Sequence, residues 1–503
     1  MAGATRPVRL TIPLYAYIVI HSNTKRCMPL SIHRVNRAIV VVGAGLLAST
    51  VRGAGAQLTL ADAIRSADRS AYGNRAAAGR ATAAAAQSLA PLKGILPSVR
   101  FEAGYIRTTD PIGVFGSTLR QRAIAPANFD PERLNYPDAV GNFQGGIVLE
   151  QPLLNSDAWA GRRAALHAAE ASSASADWTR LATRVDVVRA YYGAVLAAER
   201  VVTLNAAASA AHAHVAQAEA MVRQGLVTKS DALLASVRAG EIDAQLAEAE
   251  GGAATARRQL GVLLGGDARE SESLPALPPA LPGAGQIRGV VSEDTAATAP
   301  GPRADVRAAS SAAGAARADA VRARLAYVPR LNAFARYDWN SPARLYAGDR
   351  NWTVGVMASW SAFAGASDLS DVRASAGRTV AAQAEASAAE ANARLEAERT
   401  RTALAVALTR LSIAERAVAQ SAEAHRIVAR KYEGGLATVV ELLDAQAAET
   451  QSALALSQSR WGAIAAAAER LLALGRDPAS LAALDAPASI AAAHDGSPDR
   501  TPR

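Results

Sequence analysis

The chain has 503 residues, with aromatic residues at only 5% and alanine abundant along most of its length. This composition disfavours a compact enzyme and favours long helices packed side by side, because alanine is the strongest helix former and its methyl group permits close approach. The formal charge of +9 does not mark a nucleic-acid surface, since residues 1–56 hold seven Arg/Lys and no acid and leave +2 for the remainder.

Residues 1–56 read as an export segment. Arg34 and Arg37 precede an apolar run over 38–47, and Ala54-Gly55-Ala56 offers small residues at the −3 and −1 positions of a cleavage site. A membrane anchor is the alternative, although the run is short for a bilayer-spanning helix. Met28 is a natural start for this signal, which makes 1–27 a candidate misassigned start. The single cysteine, Cys27, lies in this segment, so a mature chain beginning at Gln57 forms no disulfide and no thiolate metal site.

A first helix is expected from Leu58, capped by Thr59 with Asp62 three residues on, and running to about Leu92 before Pro97 ends it. From Ser98 the period changes to two: Val99, Phe101, Ala103 and Tyr105 alternate with Arg100, Glu102 and Gly104. A Pro/Gly/Asn-rich connection reaches about Gly141, and a second strand through Ile147 and Leu149 completes a hairpin. Residues 157–224 contain no proline and predict a helix of roughly 100 Å at 1.5 Å per residue. Gly225 breaks it, and a second helix runs from about Ser230 to Leu264.

Residues 267–302, rich in Pro, Gly and Ala, read as a linker, after which the pattern restarts. A helix from Arg303 to about Ala326 precedes a strand from Val328 to Tyr337 and a returning strand from Trp352 to Trp360. A long helix then reaches Tyr432, turns at Gly434-Gly435, and the last helix ends at Gly475. Residues 476–503 read as a disordered tail.

The two halves repeat. Gly225, Asp231, Ala235 and Leu264-Gly265 recur as Gly435, Glu441, Ala445 and Leu474-Gly475 at one offset of 210 residues. The fold class is therefore mainly α with a small β part, two copies of helix, hairpin, long helix, tip and helix. Helices this long need coiled-coil-like partners, and two hairpins alone cannot close a barrel.

At the tips the residues resemble a family. Lys431-Tyr432-Glu433-Gly434-Gly435 through Val440-Glu441-Leu442-Leu443-Asp444-Ala445-Gln446 is similar to the second-repeat tip of the TolC-type outer-membrane efflux proteins. Gly225-Leu226-Val227 with Asp231 resembles the first-repeat tip, and Gln151-Pro152-Leu153 the exit from the first hairpin. The resemblance covers 57–475, with residues 57–266 as the first repeat and 303–475 as the second. It implies a homotrimer whose long antiparallel helices form an α-barrel tunnel across the periplasm and whose four strands per protomer contribute to a shared 12-stranded barrel in outer-membrane lipid. It further implies a periplasmic adaptor and an inner-membrane transporter of the RND, ABC or MFS type as partners, and a duct serving a tripartite efflux pump or type I secretion.

The resemblance also places residues. Glu441 and Asp444, three apart on one helix face, correspond to acids that ring the periplasmic aperture and set its selectivity. Read without it, they are ordinary solvated acids near a helix N-terminus, where the helix dipole favours them. Asp231 and Tyr432 correspond to aperture latches. The arginine that the family places two residues after the second-tip glycine is Ala437 here, leaving Lys229 as a substitute. Helix packing is the alternative for Tyr432. Gly225, Gly434 and Gly435 are expected to turn the helices and to present the adaptor-docking tips. Phe101, Tyr105, Phe334, Tyr337, Trp339, Trp352 and Trp360 fall in the strand windows and suit a membrane interface, a soluble β core being the alternative.

No nucleophile–base set, phosphate loop or cofactor motif emerges, so neither an enzyme nor a cofactor is expected. His212 and His214 are two apart and face different sides of their helix, without a third ligand. A soluble periplasmic coiled-coil scaffold or adaptor is the competing reading, and nucleic acid is not an expected partner.

Overall fold

The structure, a computed structural model, describes residues 57–267, 274–295, 301–361, 363 and 365–485. The export segment and the cysteine lie outside them, as does the tail beyond residue 485.

Two helices, α1 (Leu60–Ser70) and α2 (Tyr72–Gln87), stand where one was expected. Thr59 caps α1 by accepting from the Asp62 amide, as the sequence indicated. The break at Ala71 has φ −56° and ψ 130° and involves neither proline nor glycine. Asn74 bridges the corner, donating to the Ala67 carbonyl at 3.2 Å and accepting from Thr183 at 3.0 Å. The corner lets α1 turn its apolar face into the core while α2 follows the long helix that comes next.

β1 (Ser98–Thr108) and β2 (Val140–Leu154) form the first hairpin, and the connection between them carries α3 (Pro111–Arg120) and α4 (Pro131–Asn135). Asp110 and Asp130 cap these two short helices, and proline starts each. α5 (Ser156–Arg223) spans 68 residues, about 100 Å at 1.5 Å per residue, before α6 (Lys229–Leu263) returns beside it. The second half runs α8 (Ala304–Leu325), β3 (Arg330–Ser341), β4 (Asp349–Ser359), α9 (Ser367–Glu433, 67 residues) and α10 (Val439–Ala473). All four strands join one antiparallel sheet in the order β1-β2-β3-β4, so β1 and β4 each keep one edge without a partner among the described residues.

The stretch expected as a linker contains α7 (Ala284–Thr295), whose Ile287 and Val291 are fully buried in the main core. That core gathers α1, the middle of α5 and the end of α10 around Val187, Tyr191, Val195, Ile464 and Leu471. The start of the expected disordered tail is ordered as well. Pro478–Asp485 forms a 3₁₀ segment that buries Leu481 and Leu484. Asp485 accepts hydrogen bonds from the Leu60 amide at 2.6 Å, Tyr192 Oη at 2.9 Å and Tyr191 Oη at 3.2 Å. One carboxylate thus ties the first helix, the centre of α5 and the C-terminal segment together. Burial, with the Asp485 charge as the next cause, pushes both phenols far above their ordinary range.

Candidate functional site: a two-faced sheet and a paired helix tip

The sheet register sorts its residues by face. Phe101, Ile147, Tyr337 and Trp352 align across the four strands, as do Leu149, Ala335 and Val354, so these side chains share one side. Trp352 and Val354 are 71% and 63% exposed on the lone chain, which leaves a broad apolar surface bare. Tyr105 packs on Phe143 with ring centroids 4.6 Å apart, and Trp339 meets Tyr337 at 4.8 Å on the same side. Trp360, just past β4, donates through Nε1 to the Tyr327 carbonyl at 3.0 Å, at the end where the sheet meets the helices.

The opposite side is charged. Arg100 pairs with Glu150 at 3.2 Å, and Arg336 pairs with Glu102 at 3.2 Å and with Asp338 at 2.8 Å. Phe334, expected among the membrane-facing aromatics, falls on this charged side. It lies opposite Gly355, where its ring fills the place a side chain would take, so the aromatic set is corrected by one residue. Period two decides this: Phe334 differs in parity from Ala333, Ala335 and Tyr337.

At the far end of the helices the two tips meet. Ala218 of α5, Ala235 of α6, Tyr432 of α9 and Val439, Leu442 and Leu443 of α10 form a small core of their own. Each tip turns through a glycine in the left-handed region, Gly225 at φ 72° and Gly435 at φ 70°. The turns are the same Schellman closure: Leu226 N donates to Met221 O at 2.9 Å and Leu436 N to Lys431 O at 2.8 Å. Gly434 sits at φ −84° and is not required by the turn.

Both returning helices start with a capping box. Thr228 Oγ1 accepts from the Asp231 amide, while the Asp231 carboxylate accepts from Thr228 N at 3.0 Å and its hydroxyl at 2.8 Å. Thr438 and Glu441 repeat the arrangement, with Thr438 N donating to Glu441 Oε2 at 2.7 Å. The backbone bond from Thr438 is the first cause that holds the Glu441 carboxyl below its usual range. Asp231 and Glu441, expected at a latch and an aperture, therefore both close helix ends within the chain. The Thr-x-x-acid pattern that signals this stood in the sequence at both tips.

Asp444 is exposed one turn on, with the Arg238 guanidinium of α6 within electrostatic reach. Tyr432 is 3% exposed, and its hydroxyl is buried without a hydrogen-bond partner among the described residues. Burial, then the Asp231 charge, pushes its phenol upward. Lys229 is exposed on the first turn of α6 and forms no ion pair among the described residues. Leu226 and Leu436 stand 64% and 82% exposed on the turns themselves.

The sequence model of the family described as outer membrane efflux protein matches residues 74–266 and 298–475. The chain belongs to the outer membrane efflux protein family. Like that family it is placed in the outer membrane, reaching into the periplasm, and serves transport. Among proteins of curated function none matches significantly. Solved structures share the fold at low identity. The VceC outer membrane protein of Vibrio cholerae matches with a TM-score of 0.68 at 19% identity, over 83% of this chain and 96% of that one. The CmeC outer membrane channel of Campylobacter jejuni gives 0.69 at 16%, over 83% and 85%. The open-state MtrE outer membrane channel of Neisseria gonorrhoeae gives 0.65 at 19%, over 84% and 89%. The unmatched interval between the two matched segments of this efflux-family chain holds α7.

Proposed function

We propose that this efflux-family chain is one third of a passive exit duct, a homotrimer serving a tripartite pump or a type I secretion system. One observation carries the reading: a four-stranded sheet with an apolar aromatic face, a charged face and two bare edges is continuous with helices of about 100 Å. The bare edges of β1 and β4 are untenable in lipid unless neighbours pair them, and three copies supply twelve strands to close a barrel. Strands of 11 residues, tilted as barrel strands are, cross about 25–30 Å of membrane. In that barrel Arg100, Glu102 and Arg336 line water and the aromatic face meets lipid.

At the helix tips Glu441 and Asp444, one of each per protomer, ring the periplasmic aperture and favour cations. Asp231, Tyr432 and Lys229 hold the closed state, and the exposed Leu226 and Leu436 beside Gly225 and Gly435 are the contact for a periplasmic adaptor. An inner-membrane transporter of the RND, ABC or MFS type supplies the energy. Single-channel recording in planar bilayers tests the aperture: Glu441→Ala with Asp444→Ala is expected to reduce cation selectivity and divalent-ion block. A detergent-free soluble trimer would instead favour a periplasmic scaffold.

A further inference from the structure

Three helical turns above the tips, two histidines from different repeats face each other. His214 of α5 and His425 of α9 meet edge-on with ring centroids 6.2 Å apart. The Nε2 atom of each is buried without a hydrogen-bond partner among the described residues. A buried polar nitrogen left unpaired is costly, and two such atoms in neighbouring rings call for a common explanation. The other side of the His425 ring is held. His425 Nδ1 is 2.5 Å from Glu449 Oε2 of α10, and the Gln217 side chain, one turn on, reaches His214. A carboxylate on one imidazole nitrogen with the other left open is the arrangement that orients metal-ligating histidines.

We infer that His214 and His425 form a two-histidine site for a divalent transition-metal ion of borderline softness, zinc being the probe. Two imidazoles sharing one tetrahedral ion at about 2.0–2.1 Å per bond place their ring centres about 5 Å apart, so binding would draw these two rings, 6.2 Å apart here, together by about 1 Å. Among the described residues no third His, Cys, Asp or Glu completes the site, so the remaining positions belong to water and the ion exchanges readily. His212 is not part of it, since its Nε2 pairs with Asp243 of α6 at 3.1 Å. The ion would staple the first repeat to the second about 16 Å above the tip glycines, where the helices must part for the aperture to widen. That regulatory consequence rests on the duct reading, whereas the site does not.

The test is calorimetric titration of ZnCl2 into chelator-treated, detergent-solubilised full-length protein. One zinc per chain is expected, lost in His214→Ala and in His425→Ala and weakened about 10–100-fold in Glu449→Gln. Because a variant can misfold, diethyl pyrocarbonate labelling of the unaltered protein gives a second reading, in which zinc but not magnesium protects His214 and His425. Zinc binding that survives both alanine variants marks an adventitious ion on carboxylates and overturns the site, as does labelling that zinc leaves unchanged. A channel that conducts but binds no zinc at these rings ends the staple and spares the duct. A chain that binds zinc there and never conducts ends the duct and spares the site.

Discussion

Val354 offers a direct measure of which sheet face meets lipid. It lies at the centre of β4, aligned with Ala335 and Leu149, between Trp352 and Val356 on the apolar side. An arginine at mid-depth on a lipid-facing strand costs about 2–4 kcal/mol, so Val354→Arg is expected to cost that much per copy, or roughly 6–12 kcal/mol over the proposed trimer. Thr353, its neighbour at nearly the same depth, points to the charged side opposite Arg336, which already has Glu102 and Asp338 at hand. Thr353→Arg should therefore cost no more than about 1 kcal/mol per copy, the ordinary size of a like-charge cross-strand pair. Urea midpoints of protein refolded into phospholipid vesicles separate the two. Equal losses from both substitutions, or a larger loss at Thr353, would show that the face assignment, and the barrel built on it, is wrong.

Three further outcomes follow from the helix tips and the core. Tyr432→Phe keeps the ring and removes a buried hydroxyl that lacks a partner, so it should slow amide exchange at the tips and stabilise them by about 1 kcal/mol, whereas Tyr432→Ala should cost about 3–5 kcal/mol. Gly435→Ala should cost about 1–2 kcal/mol for the left-handed backbone, against little change for Gly434→Ala, measured by exchange in the last turn of α9. Asp485→Ala removes the acceptor of Leu60 N and of two tyrosine hydroxyls; a loss of about 2–4 kcal/mol in thermal unfolding is expected, and proteolysis near residue 478 should quicken.

The helices, the strands and the tips were legible because their signals are local. An uninterrupted run without proline marked α5, a change of period at Ser98 marked β1, and glycines 210 residues apart marked the turns. The corner at Ala71 had no local mark, since it is fixed by Asn74 reaching both Ala67 and Thr183. α7 and the segment 478–485 were hidden for a related reason: their Pro, Gly and Ala content suggests a linker or a tail, and only the surfaces that bury Ile287, Leu481 and Leu484 order them. At the tips the residues were found but their local work was not, although Thr228-x-x-Asp231 and Thr438-x-x-Glu441 each carry a capping-box pattern. The meeting of His214 with His425 depends on how two repeats pack, which spacing along one helix cannot reveal.

The unpartnered rims of β1 and β4 constrain how the molecule reaches its destination. In the proposed trimer, a solitary subunit entering the bilayer would carry two rows of unsatisfied amides and carbonyls into hydrocarbon, so insertion and ring closure would be one event. Membrane delivery of the proposed assembly would then act as a proofreading step, and a misfolded copy that still recruited two sound companions would remove them from the functional pool.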